Sequence, residues 1–124
     1  MLEIGYFKLA RNVSKYSDYK IKVGAVIARR KPIGVASNKC KTHPVHANPS
    51  NSLRKNIHAE IRAVINCGNE DLRGAIVYVY RQTKDGKPAL ARPCNYCYNY
   101  LKERGVRTIY YTTNEEPYWR MEML

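Results

Sequence analysis

Apolar positions along the chain fall into short blocks whose spacing switches between helical and extended. Leu2, Tyr6, Leu9, Ala10 and Val13 recur near helical spacing, with Lys8, Arg11 and Lys15 facing out, and predict a helix over 2–17. Lys22-Val23-Gly24-Ala25-Val26-Ile27-Ala28 is nearly all apolar, as in a strand covered on both faces. Arg29 to Pro32 reads as a turn, and Ile33 to Asn38 as the returning strand of a hairpin. Ile57, Ile61, Val64 and Ile65 form the stripe of a second helix over about 57–67, with Asn56 as its N-cap and Gly68 at its end. Ala75 to Tyr80 is a third strand, with Tyr78 and Tyr80 on one face. A loop at 84–88 leads to a third helix that starts at Pro93 and stops at Gly105. Tyr98 and Leu101 match its buried spacing. Val106 to Tyr111 is a fourth strand, and 114–124 has no clear period.

Apolar strands alternating with helices predict a layered α/β domain whose sheet has a largely parallel part. No repeat, low-complexity tract or linker divides the chain, so 1–124 is expected to form one domain. The exception to the regular rhythm is 39–56, a long polar segment carrying Lys39, Lys41, His43, His46, Arg54 and Lys55. A connection of that length inside a compact domain points to function.

Composition changes this picture in two ways. Hydrophobic residues at 44% and charged residues at 26% describe an ordinary globular protein, and no apolar run is long enough to span a membrane. The N-terminus lacks a basic segment followed by an apolar block, so the expected location is the cytoplasm. Lys and Arg number 22 against 10 Asp and Glu, a net charge of +12. Such an excess suits a phosphorylated or polyanionic partner, either a nucleotide or a nucleic acid, and equally a solvated basic surface. Of four cysteines, Cys94 and Cys97 form a Cys-x-x-Cys pair while Cys40 and Cys67 stand alone, which is not the pattern of a disulfide scaffold.

The candidate chemistry lies in two short segments, each opening a predicted helix. In Pro93-Cys94-Asn95-Tyr96-Cys97 the two thiols share one face of a first turn, where the helix dipole favours the thiolate that binds zinc. His58, in His58-Ala59-Glu60, supplies a third ligand, and three protein ligands leave the open fourth position of a catalytic zinc site. Glu60 lies two residues on, so from a first turn it can face that open position as a general base while His58 ligates. Each segment alone has a plainer reading. His-Ala-Glu also describes a helix-capping histidine beside a surface carboxylate, and Pro-Cys-x-x-Cys a redox pair or half of a structural zinc site.

Taken together, His-x-Glu followed by Pro-Cys-x-x-Cys is the signature of zinc nucleobase deaminases. With the Val23-Gly24-Ala25-Val26-Ile27 strand and the Ser37-Asn38 strand end, the sequence resembles the cytidine deaminase superfamily over residues 20–112. The branch is the one whose first ligand is histidine, and small phage-type deoxycytidylate deaminase-like proteins are the most similar. The resemblance implies a three-layer α/β fold with a mixed central sheet of about five strands flanked by helices. It also implies zinc on His58, Cys94 and Cys97, proton transfer by Glu60, and a homo-oligomer. Asn38 would contact the sugar or base and the Ala59 N–H a ring carbonyl. The basic segment would lie over the pocket mouth, with Lys41 and Arg54 among the cations available to a phosphate; Tyr96 is a pocket candidate. The chain departs from the pattern where residues 81–92 separate the third strand from Pro93, with Arg92 in place of an acidic residue.

The expected activity is hydrolytic deamination of a cytosine deoxynucleotide, with dCMP foremost. The alternatives are a deaminase of single-stranded DNA or RNA, which the charge and the eleven tyrosines would suit, and a non-enzymatic zinc-stabilised nucleic-acid-binding protein.

Overall fold

The computed structural model describes residues 5–17, 21–38 and 58–124. The basic segment 39–57, including Cys40, Lys41, His43, His46, Arg54, Asn56 and Ile57, lies outside the described residues, as do 1–4 and 18–20.

In chain order the elements are α1 (Phe7–Ser14), β1 (Lys22–Arg29), β2 (Lys31–Ser37), α2 (Ala59–Asn66), β3 (Ile76–Gln82), β4 (Pro88–Ala89), α3 (Asn95–Glu103), β5 (Thr108–Thr112) and β6 (Trp119–Met123). The sheet order is β2-β1-β3-β5-β6, with β4 paired to β3, so the described sheet has six strands rather than about five. Two of the six lie outside the four strands that the apolar pattern predicts: the two-residue β4, at the end of the expected 84–88 loop, and β6, in the tail that showed no period. β6 leaves most of its side chains exposed and is recognisable chiefly through its antiparallel pairing with β5.

Among the described residues only β3 and β5 are directly paired in parallel; the other pairings are antiparallel. Because β1 runs against both β2 and β3, however, β2, β3 and β5 all point the same way. Two crossovers join them, one through α2 and one through α3, and both step across the sheet in the same direction. Crossovers of the usual right hand then place both helices on one face. That face carries a single cluster in which Ala59, Ala63 and Val64 of α2 and Leu101 of α3 meet Ala25, Ile27, Val77, Val79 and Ile109 of the strands. The opposite face is covered by α1, whose Phe7 and Ala10 pack on Val26, Tyr78 and Tyr80. The result is the expected three layers.

Two glycines in the first hairpin permit this close stacking. A side chain at Gly24 would run into the Ala10 carbonyl and Ser14 amide of α1, and one at Gly34 into Ala63 and Cys67 of α2. Each helix therefore lies on the hairpin where there is no Cβ.

Several boundaries differ from the expectation. α1 is shorter among the described residues, and its buried positions are Phe7, Ala10 and Ser14, while Tyr6, Leu9 and Val13 are only half-buried. Arg11 does not simply face out, since its Nε is buried without a hydrogen-bond partner. The hairpin turn narrows to Arg30 alone (φ 69°), and β2 begins at Lys31. In α2 the exposed Ile65 leaves the stripe to Ile61, Ala63 and Val64. Gly68 (φ 62°) and Gly105 (φ 92°) follow the ends of α2 and α3, in the left-handed conformation that stops a helix. No helix among the described residues is long and apolar enough to cross a membrane.

Candidate active site

Because β2 and β3 run in the same direction, the helices that follow them start at the same edge of the sheet, the edge where open α/β sheets place their ligands. His58 is the N-cap of α2 and Cys94 the N-cap of α3, both in extended conformation (φ −70°, ψ 147° and φ −65°, ψ 165°). Pro93 therefore precedes the α3 cap rather than opening the helix. An N-cap side chain ordinarily serves its own helix alone, and these two do not.

They meet each other instead. His58 Nδ1 lies 3.2 Å from the Cys97 Sγ and 3.9 Å from the Cys94 Sγ. One donor atom from each of the three residues falls within 4.8 Å of the others. Tetrahedral zinc, with bonds of ~2.3 Å to sulfur and ~2.0–2.1 Å to nitrogen, separates neighbouring N and S ligand atoms by about 3.6 Å. The two observed separations straddle that value, so the donor set fits a zinc ion in both chemistry and spacing. Behind it, fully buried Cys97 packs against Ile61 of α2, which ties the two helix starts together. The Cys94 thiol is brought down to about 3, chiefly by the Cys97 side chain and further by His58, against the opposing effect of burial. At neutral pH it is the thiolate, the form that ligates metal.

Glu60 occupies the second position of α2 and is 5% exposed. It lines the same cavity as His58 and Cys94, a space of about 350 Å³, within the size range of small-molecule sites. Ala59 also lines it and belongs to the first turn of α2, where N–H groups lack intrahelical acceptors. Ile21, Val23 and Leu90 give the cavity apolar walls.

Asn38 lines the cavity too, though much of its side chain is engaged with the backbone of the neighbouring segment. Its Oδ1 accepts from the Val23 N–H at 3.0 Å and its Nδ2 donates to the Ile21 carbonyl at 2.6 Å. One amide N–H is left over. Lys41 and Arg54 lie outside the described residues. Tyr96 is not among the residues lining the cavity; it packs against Ile61 and Cys97.

Sequence reasoning missed how the chain travels from β3 to Cys94. Residues 82–88 form a tight return in which the Thr83 N–H donates to the Lys87 carbonyl (2.9 Å). β4 then pairs back on Arg81 and Gln82. Buried Thr112 joins the pieces: its Oγ1 donates to the Ala89 carbonyl (2.6 Å) and accepts from the Arg81 N–H (3.1 Å). Arg92 is held by Glu122 of β6, at 2.7 Å from Nε and 3.2 Å from Nη2, and lies over the Tyr98 ring at 5.0 Å. Tyr111 donates to the same carboxylate at 2.7 Å. Position 92 thus departs from the acidic pattern with its charge met by a carboxylate 30 residues away.

The family model for the cytidine and deoxycytidylate deaminase zinc-binding region matches residues 3–113. The chain belongs to this family. It is a zinc-dependent deaminase by descent, and its fold agrees. The dCMP deaminase of cyanophage S-TIM5 in its apo form has 23% identity, covers 87% of this chain and 79% of its own, and superposes with a TM-score of 0.65. The same enzyme in complex with dCMP and dUMP gives 21%, 87%, 78% and 0.63. The bifunctional diaminohydroxyphosphoribosylaminopyrimidine deaminase/5-amino-6-(5-phosphoribosylamino)uracil reductase of Thermotoga maritima has 23% identity over 90% of this chain and 30% of its own, with a TM-score of 0.52. No curated protein matches the sequence.

Proposed function

We propose that this deaminase converts a cytosine deoxynucleotide, dCMP foremost, to its uracil counterpart with release of ammonia. The observation that carries the reading is the convergence of His58, Cys94 and Cys97 within 4.8 Å, beside a cavity that His58 and Cys94 line together with the nearly buried Glu60.

In this reading His58, Cys94 and Cys97 hold the zinc ion, which when bound supplies a Lewis acid able to activate water at neutral pH. Glu60 carries the protons. One carboxylate oxygen takes a proton from the attacking water and passes it to N3 of the ring as the C4–O bond forms. Glu60 then takes the remaining proton from the new C4 hydroxyl and delivers it to the amino nitrogen; the C4–N bond breaks as the C4 carbonyl forms, ammonia leaves, and Glu60 ends as the carboxylate it began. The Ala59 N–H orients the ring carbonyl, and the N–H that Asn38 has left over meets the sugar. Ile21, Val23 and Leu90 exclude water from the ring faces. The likeness to an enzyme whose complex holds dCMP and dUMP, which differ by the amino group removed here, supports this choice of substrate.

The test is ammonia release by zinc-loaded protein from dCMP, dCTP, deoxycytidine and a single-stranded oligodeoxynucleotide. Turnover of dCMP is expected, with kcat/KM above that for the oligonucleotide. Turnover of the oligonucleotide alone would replace the nucleotide with a polynucleotide substrate, and no ammonia from any of the four would contradict cytosine deamination.

A further inference from the structure

Two arginines outside the deamination chemistry line the same cavity, and neither belongs to the basic segment 39–57. Arg81 continues the row Val77, Val79 on β3, the face of the sheet that carries α2 and α3. Among the described residues its side chain forms no ion pair and one hydrogen bond, a long contact of 3.4 Å from Nη1 to the Leu90 carbonyl. Arg92 enters the wall from the other end of the same return, two residues before Cys94.

Their settings are complementary. Arg92 is braced along one edge by Glu122 and across one face by Tyr98, so its guanidinium is fixed in direction while Nη1 takes part in none of these bonds. Arg81 is held loosely and keeps most of its donors. A planar fork fixed in advance, with a second cation lining the same cavity, suits a dianionic group with three acceptor oxygens, which guanidinium recognises with paired hydrogen bonds. The same cavity is lined by His58, Glu60 and Cys94 and by the apolar Ile21, Val23 and Leu90, so one ligand can set a ring among these and a charged group on the arginines.

We propose that Arg81 and Arg92 form the subsite for the 5′-phosphate of the nucleotide, making them determinants of nucleotide over nucleoside. The inference rests on the proposed deamination reading. It assigns phosphate recognition to the β3–β4 return, whose two ends Thr112 ties to β5.

The experiment measures equilibrium binding of dCMP, deoxycytidine and a single-stranded oligodeoxynucleotide to zinc-loaded Glu60→Ala protein, which holds ligand without consuming it. On that background Arg81→Gln, Arg92→Gln and Arg92→Lys are compared with Lys84→Gln, which removes an exposed charge from the tip of the same return. The parent should bind dCMP more tightly than deoxycytidine. Arg81→Gln and Arg92→Gln should each cost dCMP about 10- to 100-fold in affinity, the scale of one charge-assisted contact, and leave deoxycytidine nearly unchanged. Arg92→Lys keeps the charge and loses the fork, so it should fall between; its fold is checked by thermal midpoint. Lys84→Gln should change neither ligand more than about twofold, the scale of a rim charge. Equal binding of dCMP and deoxycytidine, equal losses on both, an equal effect of Lys84→Gln, or a loss confined to the oligonucleotide would each overturn the proposal. Failure of the deamination reading appears separately, as absence of ammonia from wild-type protein.

Discussion

The two faces of the sheet are built from the same strands and differ in almost every physical respect. Under α1 the face is aromatic: Tyr78 stacks on Tyr110 at 5.1 Å, Phe7 meets both rings edge-on, and Trp119 continues the row at 5.8 Å from Tyr110. Under α2 and α3 the alternate positions are Ala25, Ala36, Val77, Val79 and Ile109, facing Ala59 and Ala63. Large rings fill one layer without bringing any metal-ligating group. Small side chains on the other layer let the two crossover helices come close enough for His58 and Cys97 to meet. The period-2 alternation of a single strand, Val77-Tyr78-Val79-Tyr80, thus separates the anchoring face from the chemical face.

The comparison can be broken most sharply at Cys97. Cys97→Ala removes one of the three donors together with its contact on Ile61. Zinc content is expected to fall from about one per chain to near zero and deamination to the background, read by elemental analysis and ammonia release. Phe7→Ala strikes the other face. Truncating this fully buried ring is expected to cost about 3–5 kcal/mol in denaturant unfolding, while the zinc stoichiometry of the folded fraction stays at one. Loss of metal without loss of stability would mean the faces are not separable in this way.

A smaller effect tests the joint between β3, β4 and β5. Thr112→Val keeps the shape and removes the hydroxyl that serves Arg81 and Ala89, taking that partner from a part-buried N–H and carbonyl. The expected cost is about 1–3 kcal/mol, with faster hydrogen exchange at the Arg81 amide. The smallest effect concerns Cys67, on the chemical face but away from the ligands. Burial, and then Glu70, pushes its thiol up from 9.0 to about 11. The fold therefore favours the neutral thiol. That contribution is fully present below pH 9, where the unfolded thiol is also neutral, and is lost as pH rises towards 11. The thermal midpoint of zinc-loaded protein should decline more steeply over that window than that of Cys67→Ala; parallel slopes would exclude Cys67 as the cause.

The contrast between the faces also marks what the sequence disclosed. Alternation made Tyr78 and Tyr80 legible as one face, and the two motif segments placed His58, Glu60, Cys94 and Cys97 at helix starts because capping and ligand spacing are local properties. The strand β6 was not legible. Its Trp119-Arg120-Met121-Glu122-Met123 is mostly exposed and owes its conformation to β5, a long-range pairing that leaves little local signal. The β3–β4 return was hidden for a similar reason: only two residue pairs define it, and Thr112, which secures it, lies 31 positions from Arg81. Arg92 and Glu122 are likewise 30 apart. Gly24 and Gly34 read as ordinary members of apolar strands, and only the layers above them explain why a side chain is excluded.

The central claim is that metal binding and proton transfer are divided between different residues of the two helix starts. It is tested most directly by measuring zinc content and dCMP deamination on one preparation of Glu60→Gln. The account gives one zinc per chain, an unchanged fold and a rate lowered by about 10²–10⁴-fold, the range attributed to a positioned general acid–base. Near-wild-type turnover with zinc bound, or loss of the zinc along with the activity, would contradict it.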